Sequence, residues 1–159
     1  MPQNHENTDW SHSVTAVVQK DGCVLLARHT YGGGKGKYIV PGGYLEHGET
    51  PEEAVKREYF EETGIVIEPR RVIALRCNAH DWYLAFSADY VSGEPRSDGD
   101  ENDDVAWMNT DEALSRDDVP DTTKKLILCA RNAASGFERL PYNGNPKNGW
   151  GVLYGVEIL

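Results

Sequence analysis

The sequence has few cysteines and no long apolar run. Its three cysteines, Cys23, Cys77 and Cys129, stand far apart in 159 residues and form no CxxC pair. This spacing excludes a small disulfide framework and favours a reducing compartment. No apolar stretch approaches the roughly 20 residues of a membrane-spanning helix, and the start of the chain lacks the basic and apolar regions of a secretory signal. We therefore expect a soluble, cytoplasmic protein with no membrane partner.

Basic residues are also scarce. The chain has 16 Lys plus Arg against 26 Asp plus Glu, a formal net charge of −10. A nucleic acid polymer would meet like charge on such a surface, so we expect none as a partner. The length favours a single domain over residues 1–159. We expect a flexible leader at 1–11 and a C-terminal extension of unknown role at 136–159.

Apolar and alternating runs indicate a mixed α/β domain. Strands are predicted at 14–18, 23–27, 38–40, 72–77, 82–91 and 104–108. The first two are joined by Asp21–Gly22, a pair that tolerates positive φ and therefore favours a hairpin. A helical turn is predicted at 110–114 and a helix from Pro120 to about Ala134. Because a further, well-defined helix is inserted among the strands, we assign the chain to one α/β domain.

The inserted helix is delimited by clear end signals. Thr50 can serve as its N-cap, with Pro51 at the first helical position and Glu53 completing a capping box. Gly64 supplies the C-terminal stop. These signals predict a helix from Pro51 to Thr63.

Three carboxylates share one face of this helix. At helical periodicity Glu58, Glu61 and Glu62 fall within an arc of roughly 100° that also carries apolar residues. Ionised carboxylates leave water only when they are paired or bound to a metal. Such an all-oxygen cluster suits Mg²⁺ or Mn²⁺. The alternative is a solvated acidic face paired with Lys56 and Arg57.

The residues around the helix resemble the signature of the Nudix hydrolases, G-x5-E-x7-R-E-U-x-E-E-x-G-U, in which U is a bulky aliphatic residue. Tyr59 departs from it, since an aliphatic residue is usual there, and we expect altered packing beneath the helix. The wider resemblance covers about residues 12–135. All the fixed positions of the signature match, namely Gly43, Glu49, Arg57, Glu58, Glu61, Glu62 and Gly64.

This resemblance implies a Nudix-type α/β/α sandwich with a mixed β-sheet. It implies metal-dependent hydrolysis of a phosphoanhydride bond in a nucleoside diphosphate linked to another moiety. The substrate would be a small nucleotide: an NTP or dNTP, a nucleotide sugar, ADP-ribose or a dinucleoside polyphosphate. One alternative is a catalytically silent Nudix-fold protein that binds a nucleotide for regulation. Another is a plain acidic metal-binding domain, which leaves the position of Gly43 unexplained.

The resemblance also assigns roles by position. Glu58, Glu61 and Glu62 would bind the metal, with the carbonyl oxygen of Gly42 as a further ligand. Glu49 would be a water-mediated ligand or the partner of Arg57, and Arg57 would brace the carboxylates. The general base would be Glu61 or Glu62, with a downstream acidic residue as the rival. Glu101, six residues before Trp107, is the downstream candidate, and the alternatives are Asp103, Asp104 or a solvated loop.

Residues that contact the substrate are less clearly indicated. Neither phosphate-loop pattern is present in the glycine-rich segment 32–37, so it is either a flexible connection or a loop that folds Lys35 or Lys37 over phosphates. Arg28 and Arg76, at strand ends, are comparable candidates. Four aromatic residues in or near loops can stack on a nucleobase or pack in the core: Tyr31, Tyr44, Trp82 and Tyr83.

Two positions bear on the identity of the substrate, and the end of the chain bears on the oligomeric state. Tyr83 stands where dinucleoside polyphosphate hydrolases of the family carry a tyrosine, and Asp81 stands where ADP-ribose pyrophosphatases tend to carry a proline. The apolar end of the chain, 152–159, is either an added strand or a dimer contact, and the habit of the family favours a homodimer.

Overall fold

The computed structural model describes residues 10–132, 134–145, 147 and 151–157. Most of the predicted leader lies outside these residues. The helices are α1 (Pro51–Thr63), α2 (Thr110–Ser115) and α3 (Asp121–Ala130), with a 3₁₀ turn at Gly32–Gly34. The strands are β1 (Ser11–Lys20), β2 (Cys23–His29), β3 (Tyr38–Ile39), β4 (Gly42–Tyr44), β5 (Val66–Cys77), β6 (Asp81–Ser92), β7 (Asn102–Asn109), β8 (Glu138–Leu140) and β9 (Leu153–Gly155). No helix in this described part of the chain is long and apolar enough to cross a membrane.

Strand β1 is the centre of a mixed sheet. It pairs in parallel with β6 and antiparallel with β4, and β6 pairs antiparallel with β5. The end of β1 turns through Asp21 and Gly22, with φ of 51° and 76°, into the antiparallel strand β2. Strand β2 is in turn flanked by β3 and β7. The predicted hairpin is therefore present.

The strands are buried on both faces. One core contains Ala54, Val55 and Tyr59 of α1 packed with Val14, Ala16 and Val18 of β1. The other contains Ala113 of α2 and Leu126 and Ile127 of α3, packed with Val17, Val24 and Leu26. Because side chains alternate along a strand, β1 and β2 each supply both cores. The result is the α/β/α sandwich that the resemblance implied.

The ends of several elements differ from the predictions. Strand β5 begins at Val66 rather than at residue 72 and includes Pro69. A proline is tolerated there because the pairing with β6 shifts register between Pro69 and Arg71, and β5 lies at the edge of its sheet. Helix α3 ends at Ala130, short of the predicted Ala134.

Helix α1 has the predicted bounds and caps. The Thr50 hydroxyl accepts a hydrogen bond from the Glu53 N–H at 3.3 Å, and the Glu53 carboxylate accepts one from the Thr50 N–H at 2.9 Å. At the other end Gly64 has a φ of 73°, and its N–H donates to the Phe60 carbonyl at 2.9 Å. Both ends are therefore set by local residues, which places the carboxylates of the helix in a defined register.

The C-terminal extension packs beneath the start of α1. Strands β8 and β9 form a hairpin in which the Arg139 guanidinium and the Tyr154 hydroxyl both bond to the buried carboxylate of Glu52. The ring of Tyr154 lies edge-on to Phe86, with centroids 5.8 Å apart. Of the predicted apolar end, β9 forms an added strand, while residues 158 and 159 lie outside the described residues.

Tyr59, the departure from the signature, packs under α1 as a buried aromatic residue. It is 0% exposed, and its hydroxyl donates to the main-chain carbonyl of Ala16 at 2.8 Å. An aliphatic residue cannot make this bond. The tyrosine therefore ties the helix to β1 through both packing and a hydrogen bond.

We predict that Tyr59→Phe lowers the free energy of unfolding by about 1–2 kcal/mol, because the Ala16 carbonyl loses a buried partner. Urea denaturation measures the change. Tyr142→Phe, at an exposed tyrosine, is the matched control and should leave stability within about 0.5 kcal/mol of the native value. Equal stabilities for native protein and Tyr59→Phe would show that the bond contributes nothing.

Candidate active site

Arg57 of α1 makes several hydrogen bonds to the residues of the predicted catalytic site. Its Nε and Nη2 bond to the two oxygens of Glu49 at 2.5 and 3.0 Å. Its Nη1 bonds to Glu58 at 2.9 Å and to Glu61 at 3.2 Å, and Nη2 also bonds to the carbonyl of Tyr44 at 3.1 Å. One guanidinium thus connects three of the signature carboxylates with the strand that precedes the helix.

The charges in this network stabilise one another. Hydrogen bonding to Arg57 holds the pKa of Glu49 below its usual range, and the bond to Glu49 raises the pKa of Arg57. Glu49 also accepts from the main-chain N–H of Glu46 at 2.9 Å. Of the two arrangements expected for Glu49, this structure has the partnership with Arg57.

Glu62 lies in a different environment. The residue is 5% exposed. Its carboxylate accepts a long hydrogen bond from the Gly42 N–H at 3.4 Å. The pKa of Glu62 is raised to about 9. The main cause is burial, and the nearby carboxylates of Glu101 and Glu58 add to it. Burial also raises the pKa of Glu58, although Arg57 opposes that shift. A cluster of this kind is ionised at neutral pH only if a cation compensates it.

Glu101 is the downstream acid that approaches this cluster. Its neighbours, the two alternatives from the sequence, have other partners: Asp103 bonds to Arg28 at 2.7 Å and Asp104 accepts from the Tyr38 hydroxyl at 2.5 Å. Strand β7 begins at Asn102, so the pairing of β7 with β2 is what brings Glu101 towards α1.

Two glycines of β4 lie where a larger residue would clash with its neighbours. A Cβ at Gly43 would lie 2.3 Å from the carboxyl carbon of Glu58, and a Cβ at Gly42 would lie 2.1 Å from the main-chain oxygen of Val14. The first contact is with a movable side chain and the second with fixed backbone. Gly43 therefore sets the position of Glu58, whereas Gly42 allows β4 to approach β1.

The donor set fits a hard divalent cation. The four acidic residues offer only oxygen atoms as ligands, namely Glu58, Glu61, Glu62 and Glu101. The buried Glu62 has no positively charged partner in the part of the chain from 10 to 132 or in the other described segments. Within the part of the chain that the structure describes, no three acidic, His or Cys side chains already converge as a metal cage. Glu58 and Glu61 each bond to Arg57 through one carboxylate oxygen, which leaves the second oxygen of each side chain to bind an ion.

Two residues near the cluster, His29 and Asn102, were not among the candidates from the sequence. The ring of His29 stacks on Tyr31, with centroids 5.8 Å apart, and the Tyr31 hydroxyl lies in the field of Glu101 and Glu62. The buried amide of Asn102 donates to the Glu62 carbonyl at 2.9 Å, and its own oxygen has no partner among the described residues. Only the position of Asn102 beside Glu101 could have drawn attention to it.

The structure separates the predicted substrate residues. Arg28 bonds to Asp103, the Lys37 ammonium donates to the Asp117 carbonyl at 3.4 Å, and Lys35 is exposed. Tyr44 is exposed beside the signature loop. Arg76 and Tyr83, by contrast, line a common cavity of 390 Å³.

A mixed sheet between helices, with glutamates of one helix gathered around a braced arginine, defines the Nudix class of proteins. A family model for the NUDIX domain matches residues 10–128. This chain therefore belongs to the Nudix family, whose hydrolases generally use divalent metal ions. The match also agrees with the extent of resemblance predicted from the sequence.

Similar proteins support this assignment. The chain is 41% identical over 122 residues to an NAD-capped RNA hydrolase NudC of Photorhabdus laumondii, covering 70% of this chain and 46% of the relative. It is 37% identical over 108 residues to the protein of that name from Actinobacillus succinogenes, covering 64% of this chain and 41% of the relative. The chain thus spans less than half the length of these curated relatives.

Solved structures show the same fold. A MutT NUDIX hydrolase from Burkholderia pseudomallei superimposes with a TM-score of 0.67 at 25% identity, covering 76% of this chain and 97% of that one. A NUDIX hydrolase from Nitrosomonas europaea gives a TM-score of 0.69 at 25% identity, covering 80% and 92%.

We predict that Gly43→Ala weakens divalent-ion binding by about 10-fold or more, because the new methyl group displaces the Glu58 carboxylate. Titration with Mn²⁺, followed by calorimetry or by electron paramagnetic resonance, measures the affinity. The melting temperature should change little, since the displaced atoms belong to a side chain. Native Mn²⁺ affinity in this variant would show that Glu58 is not held by the glycine.

A second prediction follows from the raised pKa of Glu62. The folded, metal-free protein retains on Glu62 a proton that the unfolded chain releases, so the contribution of Glu62 to stability is greatest below its ordinary pKa of 4.5 and falls as pH rises towards about 9. The slope is at most about 1.4 kcal/mol per pH unit. Added divalent ion should raise the melting temperature more at pH 8 than at pH 6, because it binds the ionised form.

Denaturation in EDTA across this pH range measures the slope. Glu62→Gln should flatten it, and Glu94→Gln, at an exposed glutamate, should leave it as in the native protein. An identical slope in native protein and Glu62→Gln would assign the pH dependence to another group.

Proposed function

We propose that this protein is a Mg²⁺-dependent pyrophosphohydrolase that cleaves a phosphoanhydride bond in a nucleoside diphosphate linked to another moiety. The observation that carries the proposal is the buried Glu62, which lies beside Glu58 and Glu101 and pairs with no positive side chain among the described residues. A merely solvated acidic face would not bury a carboxylate among like charges. A divalent ion at this place would also reverse the local sign of charge, so that an acidic protein could bind a polyphosphate.

We assign the ligands to Glu58, Glu61, Glu62 and the Gly42 carbonyl, with Glu101 completing the set. When bound, Mg²⁺ neutralises phosphate charge, orients the attacking water and lowers its pKa; Mn²⁺ can replace it. Arg57 orients the carboxylates, and Glu49 holds Arg57 in place. Glu61, whose side chain is 58% exposed, is the better placed of the two candidate bases to accept the proton of the incoming water.

Two classes of substrate are compared: a small nucleotide and an RNA that carries a nucleotide cap. The relatives named NAD-capped RNA hydrolases indicate that a dinucleotide such as NAD belongs among the substrates to be tested. Their names also include RNA, whereas the net charge of −10 argues against a polynucleotide. We favour a small nucleotide, and a comparison of NAD with an NAD-capped RNA oligomer decides between them.

Two expectations about the protein in the cell stay predictions. Light scattering coupled to size-exclusion chromatography tests the homodimer, and fractionation of cells tests the cytoplasmic location. Neither is required by the arrangement of the carboxylates, all of which belong to one chain.

We predict that Glu61→Gln and Glu62→Gln each abolish most Mg²⁺-dependent release of nucleoside monophosphate. Each loses a negative oxygen ligand, and the first also loses the proposed base. The loss expected from the removal of such a group is about 10²-fold or more. The assay covers dNTPs, ADP-ribose, nucleotide sugars, NAD and dinucleoside polyphosphates, with Mg²⁺ and with Mn²⁺.

Glu94→Gln is the control for charge alone and should retain native activity. Full activity in both signature variants would refute the proposed mechanism. Tight nucleotide binding without turnover under either metal would instead support the regulatory alternative.

A further inference from the structure

The cavity lined by Arg76 and Tyr83 has the character of a ring-binding pocket. Its 390 Å³ lies within the range of small-molecule sites. Ile39 and Pro120 supply apolar surface, and the hydroxyl of Thr122 is a polar group at the wall. None of the described lining residues is acidic, in contrast to the carboxylate cluster. Apolar walls with a few polar groups suit a heterocycle better than a second phosphate.

Arg76 is held against Tyr83 by the register of the sheet. Arg76 of β5 lies opposite Tyr83 of β6, which in turn lies opposite Ser13 of β1. The guanidinium carbon is 4.8 Å from the centroid of the Tyr83 ring. Side chains at these three paired positions project to the same face of the sheet. The arginine and the tyrosine therefore form a cation–π contact at the cavity wall.

Asp81 fixes the direction of the guanidinium. One of its oxygens accepts from Arg76 Nη2 at 3.1 Å and from the Ser13 hydroxyl at 2.8 Å, and the other accepts from the Ser11 hydroxyl at 2.7 Å. The Asp81 side chain is only 14% exposed, whereas that of Arg76 is 49% exposed. The carboxylate is thus anchored by β1, and Arg76, which lines the cavity, has further N–H donors that a ligand can use.

A guanidinium in this position discriminates between rings by their exocyclic groups. Arginine has five N–H donors and no acceptor, and its plane stacks well on heterocycles. Guanine presents O6 and N7 as acceptors on one edge, whereas adenine presents the N6 amino donor beside N7. An amino group on the ring would place its N–H donors against those of the guanidinium, so no hydrogen bond would form. A carbonyl oxygen on the ring would accept a hydrogen bond from the guanidinium.

We propose that Arg76, positioned by Asp81, makes this cavity a subsite for a planar heterocycle that presents a carbonyl oxygen, in preference to one that presents an amino group. The inference rests on the proposed function for the idea that the ligand is a nucleotide. Two sources share the chemistry: a keto nucleobase, and the carboxamide of a nicotinamide nucleotide. Arg76 and Asp81 act on selectivity and take no part in the chemistry at phosphorus.

The sharpest comparison is between IMP and AMP, which differ in the ring substituent that the arginine would contact. Isothermal titration calorimetry in EDTA measures binding to the full chain without any hydrolysis. We expect IMP to bind about tenfold more tightly than AMP, the difference that about 1.4 kcal/mol produces. Nicotinamide mononucleotide tests whether the ligand is a carboxamide. Ribose 5-phosphate, which lacks a base, gives the affinity for sugar and phosphate alone.

Three variants test the residues. Arg76→Gln should bring the IMP to AMP affinity ratio to about one, because an amide offers both a donor and an acceptor. Asp81→Asn should lower the ratio while leaving the melting temperature near native, an effect that a purely structural role would not produce. Arg70→Gln is the matched control, since Arg70 lies on the same strand, bonds to Asp89 at 2.6 Å and is not among the cavity-lining residues.

Equal affinity for IMP and AMP in the native protein, or an unchanged ratio in Arg76→Gln, would overturn the inference. So would binding of both nucleotides no tighter than that of ribose 5-phosphate. Selective binding by a protein that hydrolyses nothing would support the subsite and refute the proposed function. Hydrolysis without selectivity would do the reverse.

Discussion

The bonds of Arg57 to the signature carboxylates are the interaction on which the rest of the site depends. Like-charged side chains at neighbouring helical positions repel one another, and the fold also buries one of them. Arg57 offsets this repulsion for Glu49, Glu58 and Glu61 by distributing one delocalised charge over several oxygens. A lysine ammonium lacks that fork, so the position favours arginine on geometric grounds.

Glu62 is the carboxylate that Arg57 does not reach, and this difference divides the cluster. Glu49, bonded directly to the guanidinium, has a lowered pKa, whereas Glu62 has a raised one. Glu58 lies between these two cases, because it bonds to Arg57 but its pKa is still raised by burial. A divalent cation supplies the positive charge that Glu58 and Glu62 need in order to ionise, and this links metal binding to protonation and to stability.

The cavity of Arg76 and Tyr83 shows how an acidic chain can treat the two ends of a nucleotide differently. Ser13 of β1 lies opposite Tyr83, and Thr15 of β1 lies opposite Gly42, whose N–H bonds to Glu62. Strand β1 therefore connects the cavity wall with the carboxylate cluster. One end of a ligand would meet oxygen donors suited to a cation and phosphate. The other end would meet the Arg76 guanidinium and apolar walls. Asp81, anchored on β1, connects this second environment with the sheet.

The sequence alone determined the bounds of α1 and the spacing of its carboxylates, because caps and spacing are local properties and the signature lies within 43–65. It did not reveal the start of β5, where edge pairing overrides the unfavourable signal of Pro69, or the bond from Tyr59 to Ala16. Tertiary structure also decided which downstream acid meets α1 and which predicted substrate residues share a cavity. Those outcomes depend on strand register between residues far apart in the chain, and no local pattern contains that register.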